Sequence, residues 1–268
     1  MKLVIIGAGN MGEALARGIV RAGLAAPADL TLTDIVIERA RTLADELGAA
    51  ACADNRQAVA TASLVILLVK PPQVAGVCRE IGPVLPAACP VLVIAAGVTI
   101  RQIKAALGRE ETPVARAMPN TPCLVGAGAT GLTVEPNMPA EIRDTLVCLL
   151  SAVGIVEEVP ESLQDAVTGL SGSGPAYIAV LIEALADGGV LMGLPRAQAL
   201  RLAIQTVRGT ATLLQETGRH PAQVKDAVSS PGGTTITALA ALEAAGFRHA
   251  VLSAVKAAAV RAHELSGE

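Results

Sequence analysis

Six residues near the N-terminus, Gly7-Ala8-Gly9-Asn10-Met11-Gly12, constrain this chain more than any other segment. They follow an apolar run at 3–6, Leu-Val-Ile-Ile, and open a helical pattern over 12–22. A GxGxxG turn carries meaning in that setting, between a buried strand and a helix. Gly7 permits the tight turn, Gly9 lets the backbone approach a pyrophosphate, and Gly12 lets the helix pack closely on the strand. The free N–H groups of the helix start, with Asn10 and Met11 in the loop, then form an anion site.

The rest of the first half agrees with such a turn. Apolar runs at 30–33, 64–69, 91–96 and 114–118 alternate with helical patterns, one of which, 38–47, stops at Gly48. Continuous apolar strands separated by helices imply a mostly parallel, doubly wound sheet covered on both faces. Weaker strands at 129–134 and 155–159 flank a helix at 140–152. Past residue 160 the strand signals stop. Ile178, Leu181, Ile182 and Leu185 follow helical spacing, and Pro195 and Pro221 sit where a first helical turn tolerates proline. Gly218 ends a long helical pattern, and 248–265 reads as a last, alanine-rich helix. The expectation is an α/β Rossmann domain over 1–160 that binds a dinucleotide, followed by an all-α domain over 161–268.

Composition removes several function classes. Aromatic residues make up 1% of the chain, so no stacking platform for single-stranded nucleic acid exists. The net charge of -3, with no Lys/Arg block, gives no footprint for DNA or an anionic membrane. The uncharged stretch 81–100 contains Pro83, Pro86 and Pro90, which would break a spanning helix. The apolar start is too short for a signal peptide, so a soluble, cytoplasmic protein is expected. Five cysteines without CxxC spacing read as small buried hydrophobes, and three scattered histidines give no ligand set, so no metal is expected.

Ligands of parallel sheets bind at the carboxyl ends of strands. Those ends are Val69-Lys70-Pro71, Ala96-Gly97 and Asn120, which should line the cofactor groove. Lys70 reads either as a charge near cofactor or substrate or as a solvated lysine closing its strand. Asp34, at the end of the second strand, suits ribose hydroxyls and opposes a 2′-phosphate, which leans toward NAD. Arg39 or Arg41, one turn further on, could reach a 2′-phosphate, so both NAD and NADP stay open.

A second unusual segment, Ser229-Ser230-Pro231-Gly232-Gly233-Thr234-Thr235, lies between two helices. Paired glycines and hydroxyls at a helix start suit a carboxylate. The plainer reading is an N-cap, with Thr234 or Thr235 bonding the first-turn amides. The segment Ser171-Gly172-Ser173-Gly174-Pro175-Ala176-Tyr177 reads as a hinge or as a helix start.

With Val69-Lys70-Pro71-Pro72, Met118-Pro119-Asn120-Thr121-Pro122 and the two segments just described, the chain resembles the pyrroline-5-carboxylate reductases, in order over essentially its whole length. The resemblance implies an enzyme that reduces 1-pyrroline-5-carboxylate to L-proline with NAD(P)H, at the end of proline biosynthesis. It implies that the helical region is a dimerisation domain, whose helices intertwine between subunits. By motif matching, Ser230, Gly233 and Thr234 would hold the substrate carboxylate. Thr235 would bond the ring nitrogen as the catalytic group, and Asn55 with 70–72 would border the cofactor. Asp34 departs from the Ser, Asn or Arg-containing loops frequent in members that prefer NADPH. Two rival readings are a β-hydroxyacid dehydrogenase of similar layout and a non-catalytic NAD(P)-binding sensor. The first needs a lysine on the first interdomain helix, and 177–192 has none.

Overall fold

In a computed structural model, which describes residues 1–266, the chain begins with β1, Leu3–Ile6, and α1, Asn10–Arg21. Then come β2 (Leu30–Thr33), α2 (Ile37–Leu47), β3 (Ala50–Ala51), α3 (Asn55–Val59) and β4 (Leu64–Leu67). They are followed by α4 (Pro71–Ile81), β5 (Val91–Val93), α5 (Ile100–Leu107), β6 (Val114–Met118) and β7 (Gly128–Val134). α6 (Ala140–Ser151), β8 (Gly154–Glu158) and α7 (Gln164–Val167) lead through a π turn, Thr168–Gly172, to the long helices. These are α8 (Gly174–Leu191), α9 (Arg196–Thr217), α10 (Pro221–Ala227), α11 (Thr234–Ala244) and α12 (Phe247–Ser266).

The strands form one sheet in the order β3-β2-β1-β4-β5-β6-β7-β8. All neighbours are parallel except β6 and β7, paired Ala115 to Val134 and Met118 to Gly131. Successive side chains of a strand point to opposite faces, and both faces here are apolar. Leu3, Ile5, Leu64, Ile66 and Leu92 join α1, α2 and α6 in one core. Val4, Ile6, Val65, Leu67, Val91 and Val93 join α4 and α5 in the other. Each such side chain contributes about 1.5–3 kcal/mol by leaving water. The order reverses between β1 and β4, which opens a crevice at their carboxyl ends.

By contacts the chain divides into Met1–Ser173 with the residues from Ala257 onward, and Gly174–Lys256. The segment after β8 is stitched to the sheet by long-range bonds. Glu161 accepts from buried Arg116 of β6 at 2.8 Å and from the Ile100 amide at 2.7 Å. Buried Gln164 donates to the Thr133 hydroxyl at 2.8 Å, and the Asn120 amide to the Ser171 carbonyl at 3.0 Å. His263 Nδ1 lies 3.3 Å from Asp165 Oδ2, a His–Asp pair with no counterpart in the sequence reading. In the second unit the buried core is three alanines, Ala186, Ala199 and Ala203, where α8 meets α9. A Cβ on Gly189 would lie 3.0 Å from that of Ala199, so the two helices approach closely.

Several elements differ from the periodicity reading. The fourth and fifth strands stop at Leu67 and Val93 rather than at 69 and 96. β3, α3 and α5 were not marked, and α4 was marked only by its end. α3 starts at Asp54, whose side chain caps the amides of Arg56 and Gln57, and α4 starts at the prolines that read only as a strand stop. Cys78, Cys89 and Cys123 are buried as expected, and burial pushes the first two thiols up to about 12. Cys148 is exposed on α6 and Cys52 half-buried, because cysteine count does not encode helix facing. Two stretches are long and apolar enough to cross a membrane: Glu161–Leu191, and Thr234–Ala244 with Phe247–Leu265 if that bent pair counts as one. The expectation had considered only 81–100, read as a helix end, a turn and a short buried strand, and that stretch does form the end of α4, a turn and β5.

Candidate active site

A groove of about 820 Å³ lies at the carboxyl ends of β1, β2 and β4, walled by Gly7, Gly9, Asp34, Asn55, Val69 and Lys70 among others. The glycine turn has three different reasons for its three glycines. Gly7 has φ +112°, and a Cβ there would sit 2.4 Å from the Leu68 carbonyl oxygen. A Cβ on Gly12 would sit 1.9 Å from the Gly7 carbonyl oxygen. Gly9 has an ordinary φ of -75°, and a Cβ on it would meet nothing within 4 Å. The fold itself therefore does not demand glycine at position 9; what its hydrogen keeps clear is the groove.

Gly9 is the N-cap of α1, and no side chain caps that helix. Its first-turn amides therefore have no side-chain acceptor, as an anion site requires. These two observations fit the pyrophosphate of a dinucleotide. Asp34 braces the turn: its Oδ2 accepts from the Ala8 amide and its Oδ1 from the Val36 amide, both at 2.8 Å. Asn55 accepts from the buried Thr33 hydroxyl at 2.6 Å and donates to Glu80 at 3.2 Å.

The remaining expected cofactor residues are spread more widely. Asn10 lines a neighbouring cavity between α1 and α2. Pro71, Ala96 and Gly97 line another, of about 750 Å³, beside α4 and α5. Met11 packs against the core, and Gly12 is buried beneath the turn. The Asn120 side chain is occupied within the protein, accepting from the Ala129 amide at 2.9 Å while donating to Ser171. Glu80, Gln73 and Arg39 also wall the main groove. The first two lie on α4, of which only the end near residue 81 was expected, and neither was singled out. Lys70 stands exposed as the N-cap of α4, its amide bonded to Gln73 Oε1.

The second segment forms the bend between α10 and α11. Gly232 takes φ +65°, and Gly233 is the N-cap of α11 with no side-chain cap. The plainer expectation, a threonine N-cap, is thus not what forms: Thr234 and Thr235 are the first residues inside the helix. A Cβ on Gly233 would fall 2.2 Å from Ser230 Oγ, so glycine lets that hydroxyl close over the helix start. Ser229 donates back to the Lys225 carbonyl at 2.7 Å, which fixes the bend. The bend thus presents the Ser230, Thr234 and Thr235 hydroxyls and uncapped amides, all donors to a carboxylate.

Comparison with known proteins covers the whole chain. The family model "Pyrroline-5-carboxylate reductase dimerisation" matches residues 161–265, and "NADP oxidoreductase coenzyme F420-dependent" matches residues 2–97. A pyrroline-5-carboxylate reductase from Synechocystis is 45% identical over 99% of this chain and 98% of its own. The structure of such a reductase from Coxiella burnetii superposes with a TM-score of 0.93 at 36% identity, covering 98% of each chain. One from Plasmodium falciparum, with NADP bound, does so with a TM-score of 0.88 at 30% identity, covering 99% of this chain and 98% of that one. With a glycine turn built for a dinucleotide, a donor-lined bend between α10 and α11, and relatives matched end to end, this chain belongs to the pyrroline-5-carboxylate reductase family.

Proposed function

We propose that the protein reduces 1-pyrroline-5-carboxylate to L-proline with NAD(P)H. The observation that carries this reading is the pair of uncapped helix starts, α1 and α11, in a chain with full-length relatives of that name. Residues 1–160 hold the dinucleotide, and residues 161–268 hold the substrate and mediate self-association. The dinucleotide, when bound, supplies the hydride. Gly9 and the first amides of α1 bind its pyrophosphate. Ser230, Gly233 and Thr234 hold the substrate carboxylate.

Hydride goes to the C=N carbon and a proton to the ring nitrogen. A protonated cyclic imine accepts hydride without a strong acid, so the protein has mainly to position the reacting atoms, roughly 3–3.5 Å apart. The Thr235 hydroxyl orients the nitrogen and relays its proton from water. Thr235→Ala should lower kcat/KM on the order of tenfold while dinucleotide affinity is kept. An assay following nicotinamide absorbance with pyrroline-5-carboxylate tests the activity, and dinucleotide binding without any turnover would overturn it.

The same reading makes the protein a cytoplasmic dimer or larger assembly acting on a small molecule, not on nucleic acid or a membrane. In the second unit Val180, Leu202 and Leu252 are 65%, 57% and 70% exposed, an apolar surface suited to another copy's helices. Light scattering that gives a 27.0 kDa monomer would overturn the self-association.

A further inference from the structure

One wall of the cofactor groove combines two carboxylates from distant parts of the sequence. Asp34 ends β2 and is held at the lip of the glycine turn by the Ala8 and Val36 amides. Each oxygen uses one acceptor site there, and a carboxylate has about four. Glu80 reaches the same groove from α4 and is held by a relay, Thr33 hydroxyl to Asn55 Oδ1 and Asn55 Nδ2 to Glu80 Oε2. Ile35, which follows Asp34 on the same wall, is 90% exposed and offers a ligand no side-chain donor. The cations on the groove wall are Arg39, in the first turn of α2, and Lys70, the N-cap of α4.

We infer that Asp34 and Glu80 make this groove select NADH over NADPH, by accepting hydrogen bonds from the adenosine ribose hydroxyls and repelling a 2′-phosphate. This rests on the reading that the groove holds a dinucleotide. A ribose with both hydroxyls free brings two donors to acceptors already fixed in place. A 2′-phosphate brings between one and two negative charges and acceptor oxygens only. Arg39 and Lys70 face two carboxylates on that wall, and a pair of like charges at close range in a partly desolvated groove costs more than in open water. Asp34 alone would be the familiar acidic strand end; Glu80, held through Asn55, adds a second barrier that the strand end does not require.

Equilibrium titration of the full-length protein with NADH and with NADPH, followed by nicotinamide fluorescence and without any pyrroline substrate, tests this. Adenosine 5′-diphosphate and adenosine 2′,5′-bisphosphate serve as competitors that report the adenosine end alone. NADH should bind about tenfold or more tightly than NADPH, and the unphosphorylated competitor should win in the same sense. Glu80→Gln, which keeps a partner for Asn55 and removes only charge, should narrow the NADH:NADPH ratio about threefold. Asp34→Asn with Glu80→Gln should narrow it further, with thermal unfolding used to check that the glycine turn survives. Raising ionic strength should narrow the ratio in the wild type. Equal or tighter NADPH binding by the wild type would overturn the inference, as would a ratio unmoved in Glu80→Gln. Failure to bind either dinucleotide would overturn the underlying reading of the groove instead, and a clear NADH preference with no turnover would leave the inference standing while the proposed reaction fell.

Discussion

The two units of this chain are stabilised in opposite ways. The sheet unit fills both faces with buried Leu, Ile and Val, in two clusters that need nothing from outside the chain. The unit Gly174–Lys256 buries three alanines and leaves leucines and valines of several helices in water. A helix that is apolar around much of its surface gains stability only by being covered. The lesson is that apolar content does not measure self-sufficiency: the second unit is rich in hydrophobic residues yet lacks an interior of its own.

That contrast can be broken most severely at the exposed helical surface. Val180→Asp with Leu252→Asp should abolish self-association and unfold the helical unit, while the sheet unit keeps its cooperative transition; sedimentation and thermal unfolding at several protein concentrations would read both. In the wild type the helical transition should move with protein concentration and the sheet transition should not. A helical unit that melts at the same temperature at all concentrations would remove the contrast.

Next in size is a matched pair in the glycine turn. Gly12→Ala places a methyl group on the Gly7 carbonyl, and should cost about 3 kcal/mol or more and abolish dinucleotide binding. Gly9→Ala meets open space, so unfolding should change by less than about 0.5 kcal/mol while dinucleotide affinity falls on the order of tenfold. Equal losses of stability in the two variants would refute the division between glycines the fold needs and the glycine the ligand needs.

A smaller effect sharpens the polar side of the comparison. Glu161→Gln leaves the buried guanidinium of Arg116 without its countercharge. Because Glu161 is about a third exposed, the loss should be about 2 kcal/mol, below that of a fully buried pair. Denaturant unfolding should show it in the sheet transition, independent of protein concentration.

The last effect, absent near neutral pH, is a pH dependence. Burial raises the Cys78 and Cys89 thiols to about 12, against an ordinary value of 9.0. Between those limits the folded state holds protons that the unfolded state releases, so stability is full below pH 9 and falls as pH rises toward 12. Cys78→Ala with Cys89→Ala should flatten that decline. At pH 8 an alkylating reagent should modify exposed Cys148 and leave the buried pair intact.

Much of this was legible in the residues, and the misses share a cause. The apolar runs marked seven of the eight strands, and the change of pattern near residue 160 separated α/β from all-α. The helices α3 and α5 and the start of α4 escaped because their caps read as loop or strand stops, although Val74, Cys78 and Ile81, and Ile100, Ile103 and Leu107, form buried stripes at helical spacing. In the site, the glycine turn and the Ser229–Thr235 bend were visible because turn and cap chemistry is local. Glu80 was invisible for the opposite reason: only the sheet order brings α4 beside Asn55.

By itself the sequence determined where the chain turns, which runs are buried on two sides, and which bend is lined with donors, since each depends on residues within a few positions of one another. Tertiary structure alone decided that Asp34 braces Ala8, that Glu80 joins the groove through Asn55, and that Glu161 closes on Arg116. Those pairs lie 26, 25 and 45 residues apart. Their meeting follows from strand order and helix placement, which no local pattern encodes.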